Sequence, residues 1–365
     1  MPRLRRLLAR LILLGVSAAV GLLIAELAVR VARPQPVLIV SRGLYAPDPP
    51  RRYRLLPGFQ GRITNRVEYD TPVSINRAGL RGPEVGPKAP GAFRVLALGD
   101  SFTFGVGARE EESYPARLQE ILRSRGLAAQ VLNAGAPGFG VPDEVAWYQR
   151  WGRSLEPDAV VLAVFVGNDL QDAAPGLPKA VAVDGALVIE GEKTRSLSRW
   201  LYHHSHLYAL LKGSALGGTV RRLLGKPEPL DVRQLRQEME LYTKGPLPKD
   251  LQEGAAATEK AVDELGREGG PRILAVIIPS LIQVDPARWN ASLERFGLDP
   301  SRYDPRRPND LLRGIFGRHG ISILDLTPPF AQAIGRGERI YLPIDQHLTP
   351  AGYRLMAETV AAELQ

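Results

Sequence analysis

The pattern of apolar and polar positions along the chain changes near Phe93. Beyond that point, short and mostly apolar runs such as residues 94–100 and 158–169 alternate with amphipathic stretches such as residues 113–126. Strands that are apolar on both faces, alternating with helices, are typical of a parallel sheet covered by helices on both sides. We therefore expect residues 93–365 to form a three-layer α/β/α domain.

Two segments depart from this rhythm. Residues 34–92 are rich in proline, glycine and arginine and contain only short β-like pieces, which predicts a spacer and a small β-rich preamble. Residues from about 170 to 270 interrupt the alternation with a hairpin-like stretch at 180–191 and an amphipathic stretch at 196–212. We expect this second segment to be an insertion lying over the edge of the sheet.

The amino terminus has the pattern of a signal peptide or signal anchor. Four arginines precede an uncharged run at residues 11–25, and flanking leucines extend it toward the roughly 20 residues that a membrane span needs. No small-x-small cleavage site follows the run, which favours an uncleaved anchor over a cleaved signal. The arginine excess before the run predicts a cytoplasmic amino terminus. We expect residues 1–33 to be a transmembrane signal anchor, with the rest of the chain periplasmic or extracellular.

Charge and cysteine content narrow the chemistry. The formal net charge is +8, but residues 1–33 carry +5 of it, so the remaining 332 residues carry only +3. A surface for nucleic acid is therefore not expected. The chain has no cysteine, which excludes a disulfide framework, a cysteine zinc site and a thiol nucleophile.

Four polar clusters lie where a doubly wound sheet binds its ligands, beyond the carboxyl ends of the strands. Three of them follow apolar runs, and the fourth precedes the last helix. The clusters are GDSFTFG at 99–105, NAGAPG at 133–138, GND at 167–169 and DQHLTPAGY at 345–353. We expect these distant segments to converge on one edge of the sheet.

The clusters supply every group that acyl transfer needs. Ser101 is the candidate nucleophile, His347 the base that takes its proton, and Asp345 the acid that orients the imidazole. The backbone N–H groups of Ser101 and Gly138 and the side-chain amide of Asn168 are the candidate donors to the oxyanion. No metal or organic cofactor is required for this chemistry.

The four clusters resemble the motif blocks of the SGNH/GDSL hydrolases, in which Ser, Gly, Asn and His come from separate blocks in this order. The resemblance covers residues 93–365 and implies the flavodoxin-like parallel sheet of that family. The block-two glycine aligns best with Gly138, with Gly135 as the other choice. Many members place Asp three residues before His, whereas here Asp345 lies two before His347. This D-x-H spacing resembles the branch that contains membrane-linked proteins modifying polysaccharide O-acetyl groups.

The sequence thus predicts a serine esterase that hydrolyses or transfers an acyl group, O-acetyl above all, on an envelope or extracellular glycan. Two alternatives stay open: a lipid-ester hydrolase of the lysophospholipase type, and a non-catalytic glycan-binding or assembly protein with the same fold. The expected partners are the ester-bearing glycan or lipid and the membrane. His203, His204 and His206 could suggest a metal, but no carboxylate lies near them in the sequence, so we expect a structural or surface role.

Overall fold

The computed structural model describes residues 2–48, 52–177, 179–190, 196–223, 230–266 and 270–364. The chain divides into two compact units. The helical unit comprises Met1–Ile39, Thr64–Glu68 and Lys193–Pro229, and the sheet unit comprises Val40–Ile63, Tyr69–Glu192 and Leu230–Gln365. The four polar clusters of the sequence all belong to the sheet unit.

Five parallel strands form the central sheet of the sheet unit. The strands of the chain are β1 (Ile39–Val40), β2 (Tyr45–Ala46), β3 (Arg54–Leu55), β4 (Gln60–Thr64), β5 (Asp70–Ser74), β6 (Phe93–Leu98), β7 (Ala129–Asn133), β8 (Ala159–Phe165), β9 (Ala180–Val183), β10 (Ala186–Ile189), β11 (Arg272–Ile278) and β12 (Ser322–Asp325). The central sheet has the order β12-β11-β8-β6-β7, with every pair parallel. This is the flavodoxin-like order, so the predicted fold class is confirmed.

Strand β8, in the middle of the sheet, is apolar throughout because it contributes to two cores. In β8, Val161 and Ala163 pack into the core on one face, while Val160 and Leu162 pack into the core on the other. All four side chains are fully buried. Successive side chains of a strand point to opposite faces, so a strand covered on both faces favours apolar residues at successive positions.

Helices cover both faces of the sheet. The α-helices are α1 (Pro2–Ala32), α2 (Ser101–Phe104), α3 (Tyr114–Ser124), α4 (Val141–Trp147), α5 (Asp169–Ala173), α6 (Leu197–His204), α7 (His206–Gly213), α8 (Ala215–Leu223), α9 (Leu230–Leu241), α10 (Lys249–Gly266), α11 (Leu281–Val284), α12 (Pro286–Phe296), α13 (Arg307–Arg318), α14 (Thr327–Gly335) and α15 (Pro350–Glu363). Helices α3, α14 and α15 line one core, and α4, α10 and α13 line the other. Helix α10 lies within the range 170–270, yet Val262 and Leu265 pack into the core beside the sheet. The regular helical layer therefore resumes before residue 270.

The preamble packs against the segments that follow the central strands. Strands β2 and β3 pair antiparallel, and β4 and β5 lie in a three-stranded sheet with β1. Tyr53 and Phe59 share a third apolar core with Phe104 and Phe139, which follow β6 and β7. This packing brings preamble side chains to the carboxyl edge of the sheet.

The helical unit contains one long apolar helix. Residues Leu4–Ala32 of α1 are long and apolar enough to cross a membrane, and their most apolar stretch is not buried within the protein. The helix is compatible with a signal anchor or a membrane span. Helices α6, α7 and α8 complete the unit, and α7 packs on α1.

Candidate active site

Three of the predicted site residues form a continuous relay of contacts. Ser101 begins α2, directly after β6, and its Oγ lies 2.8 Å from Nε2 of His347. Nδ1 of His347 is hydrogen-bonded to Oδ1 of Asp345. The two ring nitrogens of one imidazole therefore connect a hydroxyl to a carboxylate, which is the arrangement that activates a serine nucleophile.

The turn between β6 and α2 requires its glycine. Gly99 has φ of +152°, and a Cβ at this position would lie 2.1 Å from Oγ1 of Thr103. Asp100 then caps α2, since its Oδ1 accepts a hydrogen bond of 2.8 Å from the Phe102 N–H. This tight turn places Ser101 at the amino end of α2, beyond the carboxyl end of the strand.

The short spacing between Asp345 and His347 is accommodated by the backbone of the residue between them. Gln346 has φ of +67°, a left-handed conformation that is uncommon outside glycine. The carbonyl of His347 accepts a hydrogen bond of 2.8 Å from the Leu342 N–H, which closes the loop. The turned backbone lets the carboxylate reach the imidazole although only one residue separates them.

A preamble residue supports the acid of the relay. The hydroxyl of Tyr69 donates a hydrogen bond of 2.8 Å to Oδ2 of Asp345. Burial acts to raise the pKa of Asp345, but the hydrogen bonds from His347 and Tyr69 outweigh it and hold that pKa below its usual value. Asp345 is therefore a carboxylate at neutral pH, as an orienting acid must be. No motif links Tyr69 to the His347 loop, so the sequence alone does not predict this contact.

Ser101 also has a carboxyl group as a direct neighbour. Its Oγ lies 3.2 Å from Oδ2 of Asp100, which is fully buried. Burial raises the pKa of Asp100, although the Phe102 N–H and the charge of His347 act to lower it. The Ser101 hydroxyl thus lies between the imidazole and this carboxyl group, with the shorter contact to the imidazole.

The predicted glycine donors occupy different environments. Gly135 packs so closely on α2 that a Cβ there would lie 2.1 Å from the Phe104 nitrogen, and its N–H already donates to Oδ1 of Asn133 at 3.0 Å. Gly138 has φ of +82°, and its carbonyl accepts a hydrogen bond of 2.9 Å from Nη2 of Arg52. Because Gly135 has a structural contact for its N–H, Gly138 remains the better candidate donor.

The preamble also fixes the loop that carries Gly138. Arg52 forms an ion pair with Asp143 of α4, and the hydroxyl of Tyr53 donates to the carbonyl of Pro137. Holding two successive carbonyls of the loop orients the peptide groups between them. Arg52 and Tyr53 are functional candidates that the sequence did not reveal, since the preamble carries no motif.

Asn168 is held by a carboxylate one helical turn away. Its Nδ2 donates a hydrogen bond of 2.6 Å to Oδ2 of Asp172 in α5. Burial raises the pKa of Asp172 to about 7, against the lowering effects of Arg52 and of the Asn168 hydrogen bond. A side-chain amide has two N–H donors, so one hydrogen of Asn168 remains for a second acceptor. Asp172 therefore fixes the orientation of the candidate oxyanion donor.

Two further carboxylic acids are buried nearby. Asp169 accepts a hydrogen bond of 2.8 Å from the Phe165 N–H, whereas both carboxyl oxygens of Glu144 have no partner among the described residues. Burial raises the pKa of each of these groups well above its usual value. The protonated form of Glu144 is favoured as a result, because an isolated buried charge is far more costly than a neutral acid.

The clustered histidines lie in the helical unit, where His204 and His206 make contacts within that unit. Nδ1 of His206 accepts a hydrogen bond of 2.8 Å from the Gln35 N–H, and the ring of His204 stacks on Trp200. Across the ranges that the structure describes, no group of three or more His, Cys, Asp or Glu side chains is arranged to hold a metal ion.

A flavodoxin-like sheet with a Ser-His-Asp relay beyond its carboxyl edge is the architecture of a serine ester hydrolase of the SGNH type. A sequence profile of the GDSL-like lipase/acylhydrolase family matches residues 97–355, so the chain belongs to that family. No curated protein matches the chain in sequence.

Three solved structures illustrate the likeness of fold. The acetyl xylan esterase AlAXEase is 16% identical, with a TM-score of 0.41 over 75% of this chain and 100% of its own. The acetylxylan esterase Axe2 from Geobacillus stearothermophilus is 16% identical, with a TM-score of 0.43 over 74% of this chain and 94% of its own. A lipase/acylhydrolase from Enterococcus faecalis is 14% identical, with a TM-score of 0.40 over 74% of this chain and 95% of its own. Likeness at this level concerns the fold and gives no information about substrate.

Proposed function

We propose that the protein cleaves or transfers an ester-linked acyl group through an acyl-serine intermediate, with Ser101 as the nucleophile. The observation that carries this proposal is the unbroken contact path from Ser101 Oγ through the His347 imidazole to the Asp345 carboxylate. Hydrogen bonds from Tyr69 and His347 keep the terminal acid ionised, so it can offset the charge of an imidazolium.

In the first half of the reaction, Ser101 Oγ attacks the carbonyl carbon of the ester while Nε2 of His347 takes the hydroxyl proton. The carbonyl double bond opens to an oxyanion, for which the N–H groups of Ser101 and Gly138 and the Asn168 amide are the proposed donors. Collapse of this intermediate breaks the bond to the alcohol oxygen. His347 returns its proton to that oxygen, and the acyl group stays on Ser101.

In the second half, an acceptor hydroxyl loses its proton to His347 and attacks the acyl-serine carbonyl. Breaking the bond to Oγ restores Ser101, which regains its proton from the imidazolium. Water as the acceptor gives hydrolysis, and a sugar hydroxyl gives transfer. The same residues serve both outcomes, so the products decide between them.

We assign the membrane topology by the same proposal. Residues 1–33 are an uncleaved signal anchor with a cytoplasmic amino terminus, residues 34–92 are the spacer and β-rich preamble, and residues 93–365 are the extracytoplasmic hydrolase domain with its insertion. The support is the apolar helix Leu4–Ala32 together with the four arginines near its start.

An O-acetylated envelope or extracellular glycan is the proposed substrate. The side chains around the proposed oxyanion donors are ionisable: Arg52 contacts the Gly138 carbonyl, Asp172 accepts from Asn168, and Lys179 donates to the Asp172 carbonyl. Ionisable groups suit a hydroxyl-rich substrate better than a long acyl chain, because an acyl chain offers them no hydrogen bonds. Helix α1 favours a second candidate, a membrane lipid ester, since a membrane anchor keeps the enzyme close to lipid.

Product analysis with the full chain in detergent micelles tests the proposal. The enzyme is incubated with an O-acetylated polysaccharide and, separately, with a lysophospholipid, and released acetate, transferred acetyl groups and released fatty acid are measured. We expect acetyl release or transfer in wild type and in the matched control Ser154→Ala, but not in Ser101→Ala. Fatty acid release alone would support the lipid candidate. Binding of the polysaccharide with no turnover of any ester would favour a non-catalytic glycan-binding protein.

A further inference from the structure

Large apolar side chains are exposed on α6, α7 and α8 of the helical unit. Leu197 is 73% exposed, Trp200 56% and Leu223 81%, and Leu211 and Val220 are exposed as well. In the described part of the sheet unit, the exposed large apolar side chains are Leu56, Trp151, Val183 and Ile344, and each is less than half exposed. Several large exposed apolar side chains on neighbouring helices are typical of a protein, ligand or membrane contact.

The charge of the same segment points to one kind of partner. Residues 196–223 contain four basic residues and no acidic residue. Aromatic side chains with one polar end, Trp200, Tyr202 and Tyr208, lie in α6 and α7. Helices that combine exposed apolar side chains, basic residues and such aromatics are typical of protein segments that lie in the headgroup layer of a membrane with anionic lipids.

The carboxylate of Glu26 in α1 binds the start of α7. Glu26 of α1 accepts hydrogen bonds from the Ser205 hydroxyl at 2.8 Å and from the N–H groups of His206 and Leu207 at 3.0 and 2.9 Å. The two N–H groups belong to the first turn of α7, where backbone donors have no partner within their own helix, and Ser205 is the residue that caps this helix. A carboxylate at a helix amino terminus is also favoured by the helix dipole.

Further contacts tie the same turn to the carboxyl end of α1. Arg30 donates to the His204 carbonyl at 3.2 Å, and the Gln35 N–H donates to the His206 ring at 2.8 Å. Arg66, which belongs to the helical unit, donates to the carbonyl of His203. Residues 203–207 are therefore held beside positions 26–35 of the chain.

The attachment lies near the carboxyl end of α1, where the proposed span leaves the membrane. A membrane core of about 30 Å takes about 20 helical residues at 1.5 Å each, so a span that starts near Leu7 leaves the hydrocarbon close to Glu26. The amino terminus of α7 is thus fixed to α1 at the level where the proposed anchor meets the outer headgroups.

We propose that α6, α7 and α8, which we call the platform, form a second membrane contact in the outer headgroup layer. The apolar side chains Leu197, Trp200 and Leu223 enter the boundary of the acyl chains, and the basic residues of the platform contact anionic headgroups. The inference rests on the proposed anchorage by α1 and extends it. The protein would contact the membrane through the spanning helix and also through the platform in the headgroup layer.

The absence of cysteine makes a direct test possible in the full chain. Single cysteines are introduced as Trp200→Cys and Leu223→Cys on the platform, Glu120→Cys on α3 as the exposed control, and Leu14→Cys in α1 as the membrane control. Each variant is labelled with an environment-sensitive fluorophore and reconstituted into vesicles of phosphatidylcholine and phosphatidylglycerol. Quenching by shallow and deep doxyl-labelled lipids and by aqueous iodide is then measured.

We expect the labels at 200 and 223 to be quenched by shallow doxyl lipid and to show several-fold less iodide quenching than the label at 120. The label at 14 should be quenched by deep doxyl lipid. Suppose that the label at 14 is quenched by deep doxyl lipid, while the labels at 200 and 223 are quenched by iodide as strongly as the label at 120. This result would overturn the membrane contact of the platform and leave the proposed anchorage by α1 in place. Shielding of 200 and 223 from both quenchers would assign the surface to a protein contact and overturn the lipid contact. A label at 14 that is open to iodide would overturn the anchorage and the platform together.

Discussion

The sheet unit and the helical unit differ in where they place their apolar and ionisable side chains. The sheet unit buries apolar residues in cores on both faces of its sheet and exposes few of them. The helical unit exposes them along α1 and again on α6, α7 and α8. The first distribution is that of a protein domain surrounded by water. The second is typical of segments that contact a membrane, a ligand or another protein.

Two glutamates sharpen the difference between the units. Glu26 of the helical unit is hydrogen-bonded by three donors of α7 and by Arg30. Glu144 of the sheet unit is buried with neither carboxyl oxygen paired among the described residues. The relay residues Ser101, His347 and Asp345 all belong to the sheet unit, whereas Glu26 and the start of α7 that it contacts belong to the helical unit. Chemistry and membrane contact should therefore be separable by mutation.

Loss of a relay residue should have the largest effect and should be confined to the sheet unit. We expect Ser101→Ala and His347→Ala each to lower kcat by roughly 10⁴- to 10⁶-fold, because the residues act as one unit. For the same reason the double variant should be hardly slower than either single variant. Steady-state kinetics on a water-soluble ester measure this, with His319→Ala as the control histidine. The lipid quenching of a label at position 223 should not change.

Losses that multiply in the double variant would break the assignment of the two residues to one catalytic unit. A relay variant that changes the membrane contact of the platform would contradict the separation of the two units.

Removal of the side-chain oxyanion donor should have a smaller effect. Asn168→Ala leaves nucleophile and base in place, so we expect kcat to fall by about 10²- to 10³-fold, or roughly 2.7 to 4 kcal/mol. The thermal midpoint should stay within a few degrees of wild type. A kcat within about threefold of wild type would remove Asn168 from the site.

Asp172 should impose a pH dependence on that donor. Its pKa of about 7 means that the carboxylate facing Asn168 becomes neutral as the pH falls through that value. A neutral acceptor makes a weaker hydrogen bond than an ionised one, so Asn168 is held less firmly. We expect the ratio of wild-type to Asp172→Asn kcat/KM to fall several-fold as the pH decreases through about 7. A pH dependence that both proteins share cancels in the ratio, so a constant ratio would contradict the positioning role.

Buried Glu144 should make the stability of the protein depend on pH. Because folding raises the pKa of Glu144, the folded state binds its proton more tightly, and this contribution to stability is present at low pH and lost as the pH rises. In Glu144→Gln the side chain cannot ionise, so no buried charge forms at high pH. We expect this variant to be more stable than wild type by about 1 to 3 kcal/mol at pH 9 and about equally stable at pH 4. Thermal denaturation at both values measures the difference. The exposed control Glu120→Gln should show none, and an equal effect of Glu144→Gln at both values would contradict the raised pKa.

The parts of the site that the sequence predicted are those that motifs place at strand ends. Ser101 follows β6 and His347 precedes α15, and parallel strands bring such ends together. Tyr69, Arg52 and Tyr53 were not predicted, because they come from the preamble, where no periodic pattern fixes which side chain faces the sheet. Their contacts depend on long-range packing that local sequence does not encode.

The range 170–270 shows the same limit in the fold. The amphipathic pattern over residues 196–212 predicted helices, and α6 and α7 are there. The pattern did not show that Glu26 binds the start of α7, since a residue 180 positions away supplies the carboxylate. The pattern also did not show that α10 packs on the central sheet whereas α6 and α7 belong to the helical unit. An amphipathic helix has the same pattern whatever its apolar face contacts.

The central claim is that Ser101 is the nucleophile of an acyl-serine intermediate, and covalent labelling tests it most directly. The folded full chain is incubated with a fluorophosphonate, and the modified peptide is identified by mass spectrometry. We predict one adduct per chain, located on Ser101, that is absent from Ser101→Ala and greatly slowed in His347→Ala, while Ser154→Ala labels as wild type does. A folded wild-type chain that forms no adduct, or forms it on another residue, would contradict the account.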